Sequence, residues 1–156
     1  GGYKIKPSII KTKARSLKEK EQIISQKTSD AINVMLRKVV SLKEGTANFA
    51  DIEGYDVGGK TGTALKYNSK EKLNTFVALF PSNKPKYVLL VMLDEPKAAP
   101  NFVYNFLPSE KFPNGYKYKG ETRNTSGWNT VVVAGKIIEK IGPILAINNL
   151  EASTNF

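Results

Sequence analysis

The chain has 156 residues, 40% of them apolar, which suits one globular domain and excludes a wholly disordered chain. Its 24 Lys and Arg against 14 Asp and Glu give a formal net charge of +10. The lysines are scattered from Lys4 to Lys140 rather than gathered in a stripe, so they read as a solvated surface and not as a nucleic-acid footprint. With neither Cys nor His, disulfides, thiolate chemistry, the usual zinc sites, Ser-His-Asp triads and Cys-His pairs are excluded, and no metal or cofactor is expected.

In chain order, Tyr3 to Ile10 alternates weakly around Pro7 and predicts a short edge strand, followed by a basic loop through Lys20. Gly1-Gly2 has no initiator Met, and the chain is expected to be a fragment or a processed piece. No signal-peptide pattern occurs in residues 1 to 20. From Thr28 onward Ile32, Met35, Leu36, Val39 and Val40 share one helical face, with Ser25 or Thr28 as N-cap and Asp30 in the first turn; the apolar stripe is expected to be core. Gly45, Gly54, Gly58, Gly59 and Gly62 then punctuate a loop feeding a strand that contains Thr61 and Thr63.

Thr75 to Phe80 and Tyr87 to Leu93 predict an antiparallel hairpin around Pro81-Ser82-Asn83-Lys84-Pro85. Residues 96 to 127 make a long Pro, Asn, Gly and Tyr-rich excursion, expected to be a functional or mobile loop. Apolar residues at 133, 134, 137, 138 and 141 predict a second helix over Thr130 to Ile141, stopped by Gly142-Pro143. The expected order is strand, helix, three strands, helix, with residues 1 to 150 forming one unit and 151 to 156 a frayed tail. The longest apolar runs, Val88 to Leu93 and Val131 to Ala134, fall far short of the roughly 20 residues a membrane-spanning helix needs.

Three short patterns compete for the chemistry. Gly54 to Thr61 satisfies the phosphate-loop spacing G-x-x-x-x-G-K-[ST], and Asp94-Glu95 after an apolar run resembles a magnesium-holding acidic pair. A nucleoside triphosphatase requires a buried strand before the glycines and a helix after them, so that backbone N–H groups meet the phosphates. Phe49-Ala-Asp-Ile-Glu53 alternates instead, and Gly62, Thr63 and Tyr67-Asn68-Ser69 resist a helix. Asp94 and Glu95 therefore read as the end of a strand near a turn.

The second pattern, Lys60-Thr61-Gly62-Thr63, is the K-T-G of penicillin-binding and serine β-lactamase chemistry. On a strand it places Lys60 and Gly62 on one face and Thr61 and Thr63 on the other, and Gly62, without a Cβ, lets an extended substrate lie against the backbone. The third pattern, S-x-x-K, occurs at Ser8 to Lys11 and Ser69 to Lys72. Ser8 follows Pro7 in a strand-like stretch, and Ser69 comes after Lys60. Ser153-Thr154-Asn155 mimics S-x-N only in the tail.

Four blocks in order carry a resemblance: Val39-Val40 leading to Glu44-Gly45-Thr46-Ala47; Gly54 through Ala64; Phe76-Val77-Ala78-Leu79-Phe80-Pro81; and Val91-Met92-Leu93-Asp94-Glu95-Pro96. With them the chain resembles the C-terminal part of the transpeptidase domain of class B penicillin-binding proteins. Ser126-Gly127-Trp128-Asn129 and the run into Ile141-Gly142-Pro143-Ile144-Leu145 are most similar to the septal, cell-division members.

The resemblance implies an α+β fold, an antiparallel sheet flanked by helices, of which this chain supplies the C-terminal part and is incomplete on its N-terminal side. It implies peptidoglycan D,D-transpeptidation through a serine acyl-enzyme, with a D-Ala-D-Ala stem peptide as substrate and β-lactams as inhibitors. Lys60 would support proton transfer and attract the substrate carboxylate. The Thr61 and Thr63 hydroxyls would bind that carboxylate along the Gly62 backbone, and the Thr63 N–H would complete the oxyanion hole. The nucleophile and the S-x-N loop would lie upstream of Gly1, leaving this piece inactive alone. Cell-division membrane proteins are the implied partners, and the implied location is the periplasmic face of the inner membrane, anchored by a segment outside this chain. Trp128 reads as a loop anchor, and Gly58 and Gly59 read equally as turn or bulge residues or as residues of direct catalytic use. A catalytically silent recognition or interaction module that keeps the K-T-G strand is the alternative of a different class.

Overall fold

The structure, a computed structural model, describes residues 1–10, 21–97, 103–106, 108, 113–118 and 124–154. Helix α1 (Gln26–Ser41) starts at Ser25, whose side chain accepts the Thr28 N–H at 3.1 Å, and ends at Leu42, whose N–H returns to the Lys38 carbonyl. Ser25, not Thr28, is therefore the N-cap, and Asp30 lies beyond the first turn, bonded by Gln26 Nε2 at 2.7 Å. The expected stripe is core only at its C-terminal end. Val40 is fully buried and Val39 packs on the core, whereas Ile32 and Met35 are 42% and 64% exposed.

Strands β1 (Gly58–Leu65), β2 (Lys72–Phe80) and β3 (Tyr87–Asp94) form an antiparallel sheet in that order. The register sets Thr61 opposite Phe76, Thr63 opposite Asn74, and Phe76 opposite Val91. Because side chains alternate along a strand, this face carries the core: Asn74, Phe76, Ala78, Phe80 and Val91 are buried. The opposite face holds Val77, Val88, Leu90 and Met92, all exposed. The order β1-β2-β3 leaves β1 without a strand on its other side among the described residues.

The chain enters the sheet under tight control. Gly58 sits where a Cβ would come within 3.2 Å of the Arg37 backbone nitrogen on α1, and Gly59 where one would come within 2.5 Å of the Val77 carbonyl. Both glycines belong to β1 rather than to a turn or bulge; close packing excludes a side chain at Gly59, while at Gly58 it admits one only if the neighbours give by a few tenths of an ångström. The predicted hairpin of β2 and β3 is present, extended by three residues at the start of β2 and one at the end of β3.

Two further expectations are corrected. The edge strand over Tyr3 to Ile10 reduces to one bridge, Tyr3 with Gln22. Pro7 lacks the N–H that a ladder needs, and Ser8 closes a local turn with Ile10 instead. The last helix, α2 (Thr130–Thr154), runs through Gly142-Pro143 rather than stopping there. Pro143 has no N–H to give the Glu139 carbonyl, but the helix continues past it, and Gly142 is required because a Cβ would lie 2.2 Å from the Tyr55 ring. The glycine that looked like a stop signal is a packing contact.

Within the 96–127 excursion the described residues add strands β4 (Tyr104–Phe106) and β5 (Tyr116–Tyr118), an antiparallel pair. Short 3₁₀ turns at Asn48–Ala50 and Ser126–Trp128 bring Phe49 and Trp128 together with ring centroids 5.5 Å apart, so Trp128 anchors its loop. Val131, Ala134 and Ile138 of α2 complete the core with Val40, Ala47, Ala50 and Val57. No helix among the described residues is long and apolar enough to cross a membrane.

Candidate active site

Lys60, Thr61, Gly62 and Thr63 lie in the middle of β1, the strand with no second strand neighbour among the described residues. Lys60 and Thr63 are exposed, and Thr61 is half-buried. The expected alternation holds: Thr61 and Thr63 share the face of Phe76 and Asn74, while Lys60 and Gly62 share that of Val77 and Thr75. Lys60 Nζ donates to the Thr61 carbonyl at 2.8 Å. At Gly62 a Cβ would fall 2.5 Å from Thr75 Oγ1, so a side chain there would require the Thr75 hydroxyl to move.

Two residues outside β1 complete this arrangement. Thr46 Oγ1 lies 3.1 Å from Thr61 Oγ1, and the Ser126 backbone N–H donates to Thr63 Oγ1 at 3.0 Å. Sequence reasoning gave neither residue a role, although both stand inside the blocks that carried the family resemblance. Ser126 is itself buried, and its hydroxyl donates to the Thr75 carbonyl at 2.6 Å.

The turn leaving β1 is held electrostatically. Lys66 Nζ lies 2.6 Å from Asp94 Oδ1 and 2.7 Å from Glu95 Oε1. Hydrogen bonding to Asp94, then to Glu95, raises the Lys66 pKa above its usual 10.5. The acidic pair is thus engaged by a cation of the protein, and no group of three or more potential metal ligands occurs among the described residues.

The competing patterns do not assemble. Lys60 and Thr61 sit inside an antiparallel strand and lead into another strand, not into a helix whose N-terminus could face phosphates. The triphosphatase reading is overturned by that topology. Ser69 lies in the β1–β2 turn with Lys72 on β2, so they do not face each other across a helical turn. Lys11, of the other S-x-x-K, and Asn155, of the tail S-x-N, lie outside the described residues.

The strand bearing Lys60-Thr61-Gly62-Thr63 thus sits at the edge of a three-stranded antiparallel sheet flanked by helices among the described residues, the arrangement that the resemblance implies. The family model for the penicillin binding protein transpeptidase domain matches residues 1–106. The chain is 32% identical over 141 residues to a probable peptidoglycan D,D-transpeptidase FtsI of Caulobacter vibrioides, covering 83% of this chain and 21% of that protein. It is 40% identical over 104 residues to the stage V sporulation protein D of Bacillus subtilis, covering 63% and 16% respectively. In structure it is similar to the transpeptidase domain of the FtsI4 D,D-transpeptidase from Legionella pneumophila, with a TM-score of 0.58 and 28% identity over 78% of this chain and 38% of that one. The chain belongs to the penicillin-binding protein transpeptidase family, and it corresponds to the C-terminal part of the class B domain. It spans about one fifth and one sixth, respectively, of the length of these two sequence relatives.

Proposed function

We propose that this chain is the portion of a peptidoglycan D,D-transpeptidase that supplies the K-T-G-T strand of its active site. The carrying observation is the exposure of Lys60 and Thr63 on β1, a strand whose second edge has no strand partner among the described residues. Such an edge can pair with an extended peptide by β-augmentation.

In this reading a serine upstream of Gly1 attacks the D-Ala-D-Ala carbonyl of a stem peptide. Its proton passes to a neighbouring base, the peptide C–N bond breaks, and D-Ala leaves carrying a proton on its amine. An amine of a second stem peptide then displaces the serine and forms the cross-link. A β-lactam opens its ring amide on the same serine and remains as the ester. Lys60 supplies positive charge for the proton transfer and for the substrate carboxylate. The Thr61 and Thr63 hydroxyls donate to that carboxylate along the Gly62 backbone, and the Thr63 N–H joins the N–H of the nucleophilic serine as the oxyanion hole. One such donor is worth about 2.7–4 kcal/mol of transition-state stabilisation. The setting is the periplasmic face of the inner membrane, held there by a segment outside this chain and in company with cell-division proteins.

The test is intact-mass spectrometry of the full-length protein after exposure to benzylpenicillin. One stable adduct on a serine upstream of Gly1 is expected, formed about 100-fold more slowly in Lys60→Ala, in line with the loss of a main electrostatic group. A folded full-length protein that gains no mass would instead be a silent recognition module that keeps the strand.

A further inference from the structure

We propose that Thr46 and the Ser126-Gly127 turn form a linked bracket that positions the two threonine hydroxyls of β1 toward an anion. The inference rests on the reading of Thr61 and Thr63 as carboxylate-binding groups and asks what aims them. A hydroxyl carries one proton and two acceptor sites. The Ser126 N–H occupies an acceptor site of Thr63 Oγ1 at 3.0 Å, and among the described residues no acceptor takes the Thr63 proton. That proton therefore remains available to an incoming carboxylate. The N–H aimed at the oxygen restricts the hydroxyl proton to the remaining directions around Oγ1.

The amide that does this cannot swing freely. Ser126 is 1% exposed, its hydroxyl donates to the Thr75 carbonyl at 2.6 Å, and it lies 2.7 Å from Thr130 Oγ1. Thr130 Oγ1 also donates to the Ser126 carbonyl at 3.1 Å. The turn is thus pinned to β2 on one side and to the first turn of α2 on the other. Thr61 is held from a different loop, with Thr46 Oγ1 3.1 Å from its own hydroxyl oxygen. The two loops meet: a Cβ on Gly127 would stand 2.6 Å from the Thr46 carbonyl, a contact that only glycine permits. A shift of either loop therefore disturbs the partner of the other hydroxyl. Thr46 and Ser126 act through Thr61 and Thr63 and are positioning residues.

The experiment compares acylation of the full-length protein by benzylpenicillin and by its methyl ester, in which the carboxylate is blocked. The quantity read is the ratio of the two second-order rate constants. Thr46→Val and Ser126→Ala should each lower that ratio about tenfold, the scale of one hydrogen bond to a charged group. Thr46→Ser should keep the wild-type ratio. Thr46 is exposed, so its valine variant remains informative even where Ser126→Ala fails to fold. If Thr46→Val keeps the wild-type ratio, the bracket does not aim the hydroxyls, even if both rates fall together. If the wild-type protein itself shows no preference for the free carboxylate, the underlying reading of Thr61 and Thr63 fails, and the bracket fails with it.

Discussion

Arg37 Nε lies 2.9 Å from Asp56 Oδ1, while Nη1 of the same guanidinium lies 2.7 Å from Asp51 Oδ1 and donates to the Val57 carbonyl at 2.9 Å. One planar fork thereby ties α1 to the segment that enters β1. Asp56 is equally committed on its other oxygen, which accepts the Ser82 hydroxyl at 2.8 Å and the Asn83 N–H at 3.2 Å. The entry to the Lys60 strand is thus fixed against both a helix and the β2–β3 turn.

Arg37→Ala should lower stability by about 1.5–3 kcal/mol, the range for hydrogen bonds to charged groups. Arg37→Lys should recover less than half of that loss, because an ammonium cannot serve three acceptors in the fork geometry. The check is the shift in urea midpoint at unchanged slope. Full recovery by lysine would mean that charge alone holds the entry and that the geometry is incidental.

Substituting the serines of the two S-x-x-K matches should leave penicillin labelling as in the wild type. Ser8 Oγ is spent locally, accepting the Ile10 N–H at 3.1 Å and donating to the Ile10 carbonyl at 2.8 Å. Ser69 Oγ accepts the Glu71 N–H at 2.9 Å, and Lys72 Nζ is directed to the Asn124 carbonyl at 3.0 Å. Ser8→Ala or Ser69→Ala that abolished the adduct in intact-mass spectra would relocate the nucleophile into this chain.

How far the sequence could be read depended on the range of the interactions. Val88 to Leu93 and Thr75 to Phe80 announced a hairpin because composition and a proline-flanked turn are local signals. The Lys60 strand was legible through its motif. The partners of its hydroxyls carried no periodic signal, since Thr46 and Thr61 are 15 residues apart and Thr63 and Ser126 are 63 apart. The end of α2 was misread for a related reason: Gly142 is matched to the Tyr55 ring, a tertiary contact that no capping rule contains. Ile32 and Met35 have helical spacing, but spacing fixes a face and not what covers it.

The Lys66 cluster should give stability a defined pH dependence. Its folded-state pKa is raised above the ordinary 10.5, first by the hydrogen bond to Asp94 and then by that to Glu95. A raised cationic pKa contributes stability that is fully present below the unfolded value and is lost as pH climbs through the folded one. The difference in urea midpoint between wild type and Lys66→Met should therefore stay constant from neutral pH to about pH 10 and shrink above it. Added salt should shrink it at every pH, because the cluster is open to solvent. A midpoint difference that grows in alkali would contradict the assignment.

Asn124 closes the 96–127 excursion against the sheet. Its Oδ1 accepts Asn74 Nδ2 at 3.0 Å and Asn129 Nδ2 at 3.3 Å, and its Nδ2 donates to the Pro96 carbonyl. Asn74 is fully buried directly opposite Thr63, and its Oδ1 has no partner among the described residues. Asn124→Leu would therefore strand the Asn74 amide on both atoms, at a cost of about 1–3 kcal/mol. Asn74→Leu removes a group that is already half unsatisfied, so the penalty should be smaller. Replacing both residues removes the stranded donor together with its acceptor, and the Asn74→Leu/Asn124→Leu protein should be more stable than the sum of the single losses predicts. Chemical denaturation of the four proteins measures that coupling. Strict additivity would show that Asn124 holds the loop through the Pro96 and Asn129 contacts alone, and that Asn74 contributes nothing through its amide.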